Sequence, residues 1–440
     1  MSREDRARAG FSGVQKGFGT AAAWSPGGLR SAGAAARSER RLRGVQWTPR
    51  NHSRATSKGL IMKRRSCIQA FLLLCIATLT SCSGDQGQAD EILIGEYGSL
   101  TGTTATFGIS TKNGIEMALD EVNQNGGLLG KTVRVIVEDD QGRPEEAQTV
   151  VTKLITRNRV VALLGEVASS RTLAAAPVAQ QAGIPMVSPS STNPAVTEVG
   201  DFIFRVCFID PFQGFVMAKF AAQNLQLTDV AVLRDIKNDY SVGLADVFVE
   251  NFVALGGTIV ADEGYSEGDT DFSAQLTSIR ARRPQAIFVP GYYTEVGLIA
   301  RQAKSLGIEA PLLGGDGWDS PSLIEIGGEA LEGSYFSNHY SVDDPSPAIQ
   351  KFVSDYRARY GQTPDALAGL GYDAAQILFD AIRRAGSTDP VAIRDALAQT
   401  KDFAGVTGVT TLDENRNAVK PAVVLQISDG KLAYVETINP

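Results

Sequence analysis

From Glu91 onward, short apolar runs alternate with longer stretches of helical spacing. Ile92-Leu93-Ile94 reads as a strand, closed by a loop from Gly98 to Gly108, and Ile115, Ala118, Leu119 and Val122 then recur at helical intervals. Asn125-Gly126-Gly127 ends that helix. Val133 to Val137 is a second strand with Asp139-Asp140-Gln141-Gly142 as its exit loop, and Glu145 to Ile155 a second helix. Val160 to Leu164 is a buried strand, followed by Ser169-Ser170, an alanine-rich helical pattern to about Gln181, and the stop Gly183-Ile184-Pro185. Met186-Val187 is the next strand and Ser188 to Thr192 the loop after it; Phe202 to Val206 completes the run, ahead of a crossover expected at Asp210-Pro211.

A second run repeats the alternation. Strands are expected at Val230–Leu233, Thr258–Ala261, Ala286–Pro290 and Leu312-Leu313, with helices at Val242–Leu255, Phe272–Arg280 and Val296–Leu306 between them. Tyr335 to Asn338 is a further strand, followed by helices at Ile349–Tyr360, Ala366–Ala385 and Val391–Gln399. Val423–Ile427 and Leu432–Val435 read as antiparallel edge strands. Strands alternating with helices imply parallel sheets, and two such runs separated by a crossover imply two similar α/β lobes.

The segment 160–194 carries the first chemical signal. Two successive parallel strands end in hydroxyl-rich loops on one sheet edge, Ser169-Ser170 and Ser188 to Thr192. Ligands of open α/β sheets bind at that edge, and the first loop opens a helix whose unpaired N–H groups favour an anion. Helix capping alone would explain one such loop; two in succession point to a site.

Charge separates the chain into parts. Residues 1–61 carry +9, residues 62–81 carry +3, and the overall −7 therefore leaves about −19 on residues 82–440. An acidic body of that size excludes nucleic acid as a partner. Residues 1–61 are rich in Ala, Gly, Ser and Arg without apolar period, a disordered leader or an over-extended reading frame. After Met62, Lys63-Arg64-Arg65 precedes an apolar stretch from Ile68 to Leu79, too short to span a bilayer and suited to a secretory signal. Leu79-Thr80-Ser81-Cys82 resembles the lipobox of bacterial lipoproteins, which implies lipidation at Cys82, a membrane anchor, and a place in the periplasm or at the cell surface. Residues 82–89 form a polar tether.

Several chemistries are set aside. With two His and four Cys, two of the latter inside the signal, the chain has no Cys/His zinc set and no disulfide framework. Gly130-Lys131-Thr132 lacks the upstream Gly of a phosphate loop and lies between a helix and a strand, the reverse of the required order. Asp139 to Arg143 lacks the spaced oxygen ligands of a calcium loop. There is no Gly-x-Ser-x-Gly elbow, and His339 is the only histidine after the signal, so a hydrolytic general base is missing. Neither enzyme activity nor a cofactor or metal is expected.

Gly98-Ser99-Leu100-Thr101-Gly102, Asn125 to Gly130, Val187 to Pro194, Asp269-Thr270-Asp271-Phe272, Gly291-Tyr292-Tyr293, Gly314-Gly315-Asp316-Gly317-Trp318 and Gly371-Tyr372-Asp373-Ala374 resemble, in this order, the solute-binding proteins of bacterial ABC transporters, in the leucine/isoleucine/valine-binding group. The resemblance implies a type I periplasmic-binding fold: two Rossmann-like lobes with parallel-rich sheets joined by a three-stranded hinge. It implies crossovers near Asp210, His339 and Thr411, hence lobe 1 at 90–209 plus 340–411 and lobe 2 at 210–339 plus 412–440. It also implies a monomer that delivers an amino acid to an inner-membrane ABC permease. Carried over by position, Ser169 and the loop at Ser190 and Thr192 hold the ligand carboxylate, Asp316 faces its ammonium, and Phe107, Tyr240 and Tyr292 line the pocket. Trp318, two residues after Asp316, is also expected at the ligand; its bulk, and Arg171 after Ser169-Ser170, depart from the amino-acid binders. They leave open an amide, carboxylate or aromatic-acid receptor or sensor of the same fold.

Overall fold

The computed structural model of the protein describes residues 91–440. The leader, the signal, the tether and the lipidation expected at Cys82 lie outside them. The first sheet contains β1 (Glu91–Gly98), β2 (Thr132–Asp139), β3 (Ala162–Leu164), β4 (Met186–Ser188) and β5 (Ile203–Arg205). Its order is β2-β1-β3-β4-β5 and every pairing is parallel. The last three strands are fully buried, as expected of a parallel sheet covered on both faces. Helices α1 (Ala105–Gln124), α2 (Pro144–Thr156) and α3 (Ser169–Ala182) follow β1, β2 and β3, and a single turn, α4 (Ala195–Glu198), lies between β4 and β5.

The chain then enters a second α/β unit. It begins with α5 (Asp210–Lys219) and continues as β6 (Asp229–Asp235), α6 (Asp239–Ala254), β7 (Thr258–Tyr265), α7 (Ser273–Arg282), β8 (Ala286–Phe288), α8 (Tyr293–Ser305), β9 (Leu312–Gly314), α9 (Pro321–Gly327) and β10 (Tyr335–Asn338). It next returns to the first unit through α10 (Pro347–Tyr360), α11 (Ala366–Ala385) and α12 (Pro390–Leu397). A small antiparallel sheet follows: β11 (Phe403–Gly405), β12 (Gly408–Leu412) and β13 (Ala418–Val419). Finally β14 (Ala422–Ser428) and β15 (Lys431–Ile438) join the second sheet as antiparallel edge strands, giving the order β15-β14-β10-β9-β8-β6-β7. Among the described residues no helix is long and apolar enough to cross a membrane.

Two local differences from the sequence reading have clear causes. The crossover expected at Asp210-Pro211 is the start of α5, and the passage between sheets lies just upstream, at 206–209. Pro211 sits in the first helical turn, where its missing N–H costs nothing, so it starts the helix rather than marking a loop. The loop expected from Gly98 to Gly108 gives way to α1 at Ala105, which places Phe107 in a helical turn. Gly108 permits this, because a Cβ there would overlap the Ser99 backbone.

α11 packs along α1 through reciprocal glycines. A Cβ on Gly114 would overlap the Ala368 carbonyl, and one on Gly371 the Thr111 carbonyl. Neither clash is with a flexible side-chain end, so the two helices must move apart to accept a methyl group. Gly114→Ala is expected to destabilise the protein by about 1–3 kcal/mol despite the better helix propensity of Ala. A denaturant melt of the variant with an unshifted midpoint would contradict this account of the contact.

Candidate ligand-binding site

The two sheets turn their carboxyl ends toward each other. On the first side, β3 ends in a buried loop that leads directly into α3. Ser188 Oγ donates to the Glu166 carbonyl at 2.7 Å and accepts from the Ser191 N–H at 2.9 Å. The hydroxyls of Thr172 and Ser191 are 2.7 Å apart, and Ser191 Oγ also donates to the Glu166 carbonyl at 2.9 Å. Ser169 Oγ accepts from the Asn193 N–H at 3.2 Å. The loops after β3 and β4 are thus laced into one unit, with Ser169 and the leading N–H groups of α3 at its face.

Arg205, on β5, fixes the second loop from behind. Its guanidinium is fully buried and donates to the carbonyls of Ser191 at 2.5 Å, Asn193 at 2.8 Å and Pro194 at 3.1 Å, and to the Thr197 hydroxyl at 3.2 Å. Burial pulls its pKa down, with Cys207 and Asp210 acting the other way. Three carbonyl oxygens converging on one cation replace most of the water it has lost.

On the opposite side, Asp316 follows β9 in a 3-10 turn, Asp316–Trp318. Tyr240 OH donates to its Oδ1 at 2.9 Å, Ser190 Oγ to its Oδ2 at 3.3 Å, and His339 Nε2 lies 3.0 Å from Oδ2. The Asp316 N–H is held by Gln213 Oε1 at 2.8 Å. Among the described residues no Lys or Arg pairs with this carboxylate; the neighbouring ring is the His339 imidazole, a hydrogen-bond partner. Asp210 lies nearby and is pushed up to about 7, chiefly by burial, with Asp316 adding to the shift.

Phe107, Ser169, Ser190, Tyr240, Tyr292 and Asp316, all expected from the sequence, line one cavity, together with Val167, Gly317 and Leu367. Tyr240 and Tyr292 stack with centroids 5.4 Å apart, and Phe107 meets Tyr292 edge-on at 5.4 Å. Only about 10 Å³ is open to the centre of a water molecule, enough for about one water. Two expected residues lie elsewhere. Trp318 is turned into the core beneath the second sheet, where its indole N–H donates to the Val289 carbonyl at 2.9 Å and its ring packs on Phe336. Thr192 is buried one step behind the cavity, its carbonyl accepting from the Asp210 N–H at 3.0 Å.

Contacts between the two sides close the crevice. Asn193 Nδ2 donates to the Asp239 carbonyl at 2.8 Å, and the Asp239 N–H donates to Ser170 Oγ at 2.9 Å. Thr294 Oγ1 donates to the Thr103 carbonyl at 2.7 Å. Arg171, almost fully buried, pairs with Glu267 across the gap at 2.9 Å and lies over the Tyr292 ring. Burial opposes its charge, yet Glu166, Tyr292, Glu267 and Asp140 together raise its pKa. Glu267 is also raised, because burial outweighs the pull of Arg171 and acidic neighbours add to it. Arg171 therefore faces several carboxylates at once but hydrogen-bonds only Glu267, through Nη2, while its buried Nη1 has no hydrogen-bond partner. Asp140, beside Glu166, is pushed up to about 8, first by burial and then by that neighbour.

His339, Arg205, Leu367 and Glu267 were not singled out as site residues from the sequence. A lone histidine in sequence suggests only a catalytic base. Arg205 stands inside Phe202-Ile203-Phe204-Arg205-Val206, which reads as a plain strand, and Leu367 inside an ordinary Ala/Leu helix.

Two parallel-rich α/β sheets that present their carboxyl ends to one crevice, with the chain crossing between them more than once, define a type I periplasmic-binding fold. A family model described as periplasmic binding protein matches residues 91–431, and the chain belongs to that family. It is 33% identical over 326 residues to the Leu/Ile/Val-binding protein BraC3 of Rhizobium johnstonii, covering 74% of this chain and 88% of that one. A solved leucine-binding protein, LivK, from Thermotoga maritima shares 43% identity with a TM-score of 0.77, covering 79% of this chain and 99% of that one. The branched-chain amino acid transporter substrate-binding protein LivJ of Streptococcus pneumoniae, solved with isoleucine, shares 36% identity with a TM-score of 0.76, covering 80% of this chain and all of that one. A solute-binding protein of Rhodopseudomonas palustris, solved with 3,4-dihydroxybenzoic acid, shares 25% identity with a TM-score of 0.73, covering 80% of this chain and 98% of that one. The family is one of extracytoplasmic solute-binding proteins.

Proposed function

We propose that this chain captures an α-amino acid with a branched or similar aliphatic side chain and delivers it, as a monomer, to an inner-membrane ABC permease. The observation that carries the reading is the polarity of one cavity. Ser169 and the start of α3 offer donors on one side, Asp316 offers a carboxylate without a cationic protein partner on the other, and the walls between are aromatic and aliphatic. A zwitterion needs donors at one end and an acceptor at the other, in a crevice dry enough for such bonds to be strong. The named ligands of the Thermotoga and Streptococcus proteins support the same class. The dihydroxybenzoate-bound neighbour favours the alternative of an aromatic acid, but such a ligand carries no ammonium for Asp316, and Arg171 already pairs with Glu267 at 2.9 Å.

A crevice this tight admits a ligand only if its walls part. The passages at 206–209, near His339 and at 420–421 are the hinge of the proposed two-lobe motion; the third lies downstream of the crossover expected near Thr411, which falls inside β12 of the small sheet. L-Leucine is expected to lower the radius of gyration of the protein in small-angle scattering. At a hundred times its Kd it adds about 2.7 kcal/mol of stability. That corresponds to a melting rise of roughly 4 °C, taking about 2.1 cal/mol/K per folded residue. Amino acids that neither compact nor stabilise the protein, in a screen where an aromatic acid or amide does both, would replace this reading with the alternative.

A further inference from the structure

His339 is the first residue after β10, on the second passage between the lobes. Its side chain is fully buried and stacks on Phe208, centroids 3.9 Å apart. Nε2 lies 3.0 Å from Asp316 Oδ2, while Nδ1 has no hydrogen-bond partner. A neutral imidazole has one N–H, so the proton belongs on Nε2, facing the carboxylate, and Nδ1 keeps its lone pair. Of the other donors to Asp316, Ser190 belongs to the opposite lobe and departs when the crevice opens; Tyr240 and His339 remain.

We propose that His339 is a positioning residue for the ligand-binding carboxylate: its Nε2–H holds Asp316 Oδ2 in place, and a second proton on the ring turns away an ammonium ligand. The ligand half of this inference rests on the amino-acid reading; the hydrogen bond does not. A cationic ring would place a positive charge beside Asp316 and compete with the ammonium for it. The charged groups facing the ring are Asp316 and Asp319 from the turn after β9, and Lys420 ahead of β14. Burial holds the His339 pKa below its usual value; the bond and charge of Asp316 oppose this, Lys420 assists it, and Asp319 opposes it. The ring is therefore neutral at neutral pH and gains its proton as the pH falls, so affinity declines toward acid. Asp210 also titrates near Asp316, but it is common to every variant below.

The test has two arms on the full chain. Nitrogen-15 histidine NMR is readable because the chain holds only His52 and His339, and the spectrum of His339→Gln assigns them. An Nε2–H tautomer for His339 at neutral pH is expected; an Nδ1–H tautomer overturns the proposal. In the second arm, calorimetry with L-leucine runs from about pH 8 to about pH 5. The wild-type Kd is expected to rise as the pH falls. His339→Gln, which retains a donor, is expected to bind within about twofold of wild type at pH 8 and to show a smaller rise, only the part that Asp210 contributes to every variant. His339→Phe, which retains the stack but not the donor, is expected to bind about tenfold more weakly at pH 8, about 1.4 kcal/mol. Wild-type affinity in His339→Phe, or an unchanged pH profile in His339→Gln, overturns the proposal. If leucine fails to bind the wild type, the amino-acid reading falls, and the NMR arm still decides the hydrogen bond.

Discussion

Asp316→Asn is expected to weaken binding of L-leucine by at least about thirtyfold. The substitution keeps the size of the side chain and removes the one negative charge that faces the proposed ammonium. Truncating one partner of a buried, hydrogen-bonded charge pair costs roughly 2–5 kcal/mol, and the lower bound sets that factor. The surroundings sharpen the effect. Tyr240, Ser190 and His339 all offer hydrogens to Asp316. An amide can accept through its oxygen alone, and its NH2 group then meets a donor at short range. Ser169→Ala is expected to cost less, about 1.5–3 kcal/mol, because the N–H groups of α3 remain to hold the carboxylate. Isothermal calorimetry on the two variants measures both. Equal affinity of Asp316→Asn and wild type would mean that no ammonium sits opposite that carboxylate. Ser169 and Asp316 are both buried here, so neither variant is expected to be silent in the melting temperature of the closed form.

Arg205→Met is expected to cost stability and affinity together. Methionine fills much of the same space but leaves the carbonyls of Ser191, Asn193 and Pro194 without their donor. A buried polar group stripped of its partner costs roughly 1–3 kcal/mol. Part of that is returned, because the buried guanidinium is itself under pressure to lose its charge. A net loss of about 3 kcal/mol, or roughly 4 °C in melting temperature, is the expected balance. The loop from Ser188 to Pro194 supplies Ser190 to the cavity and the Asn193 N–H to Ser169, so its loosening should also raise the Kd for leucine at least about tenfold, some 1.4 kcal/mol. Scanning calorimetry with and without leucine separates the two effects. A variant that melts within about 1 °C of wild type and binds equally well would show that the loop holds its shape without Arg205.

The legible parts of this protein were those written in local pattern. The buried parallel strand Ala162–Leu164 announces itself within the unbroken apolar run Val160–Leu164, and the hydroxyls after it and after Met186-Val187 fall at the one sheet edge where ligands bind. Asp316, Tyr240 and Tyr292 came from the resemblance of Gly-rich and aromatic motifs to a known family, and they line the same cavity as Ser169. Arg205 illustrates what local pattern cannot carry. Its role depends on three carbonyls supplied by another segment, and nothing in a strand sequence says which way the guanidinium turns. Trp318 failed for the converse reason: adjacency to Asp316 in sequence suggested the cavity, but successive residues of a tight turn face different ways, and the larger apolar ring went to the core. His339 is not legible as a site residue, because a lone histidine in sequence suggests a proton-transfer catalyst, and only the fold brings it beside Asp316 as a neutral donor.

The packing of α11 on α1 has a consequence for how the protein is made. The sheet that forms first during synthesis, β1 to β5, is complete by Arg205. The helix that covers α1 and supplies Leu367 to the cavity begins only at Ala366. Until that helix arrives, the groove marked by Gly114 and the apolar face of α1 stay open to water. Domains tend to fold as units from the N-terminal end of a growing chain, but here one covering helix of the earlier unit is synthesised after the strands β6 to β10 of the later one. A nascent chain of this design can therefore complete the packing around α1 only after more than three-quarters of its sequence has emerged.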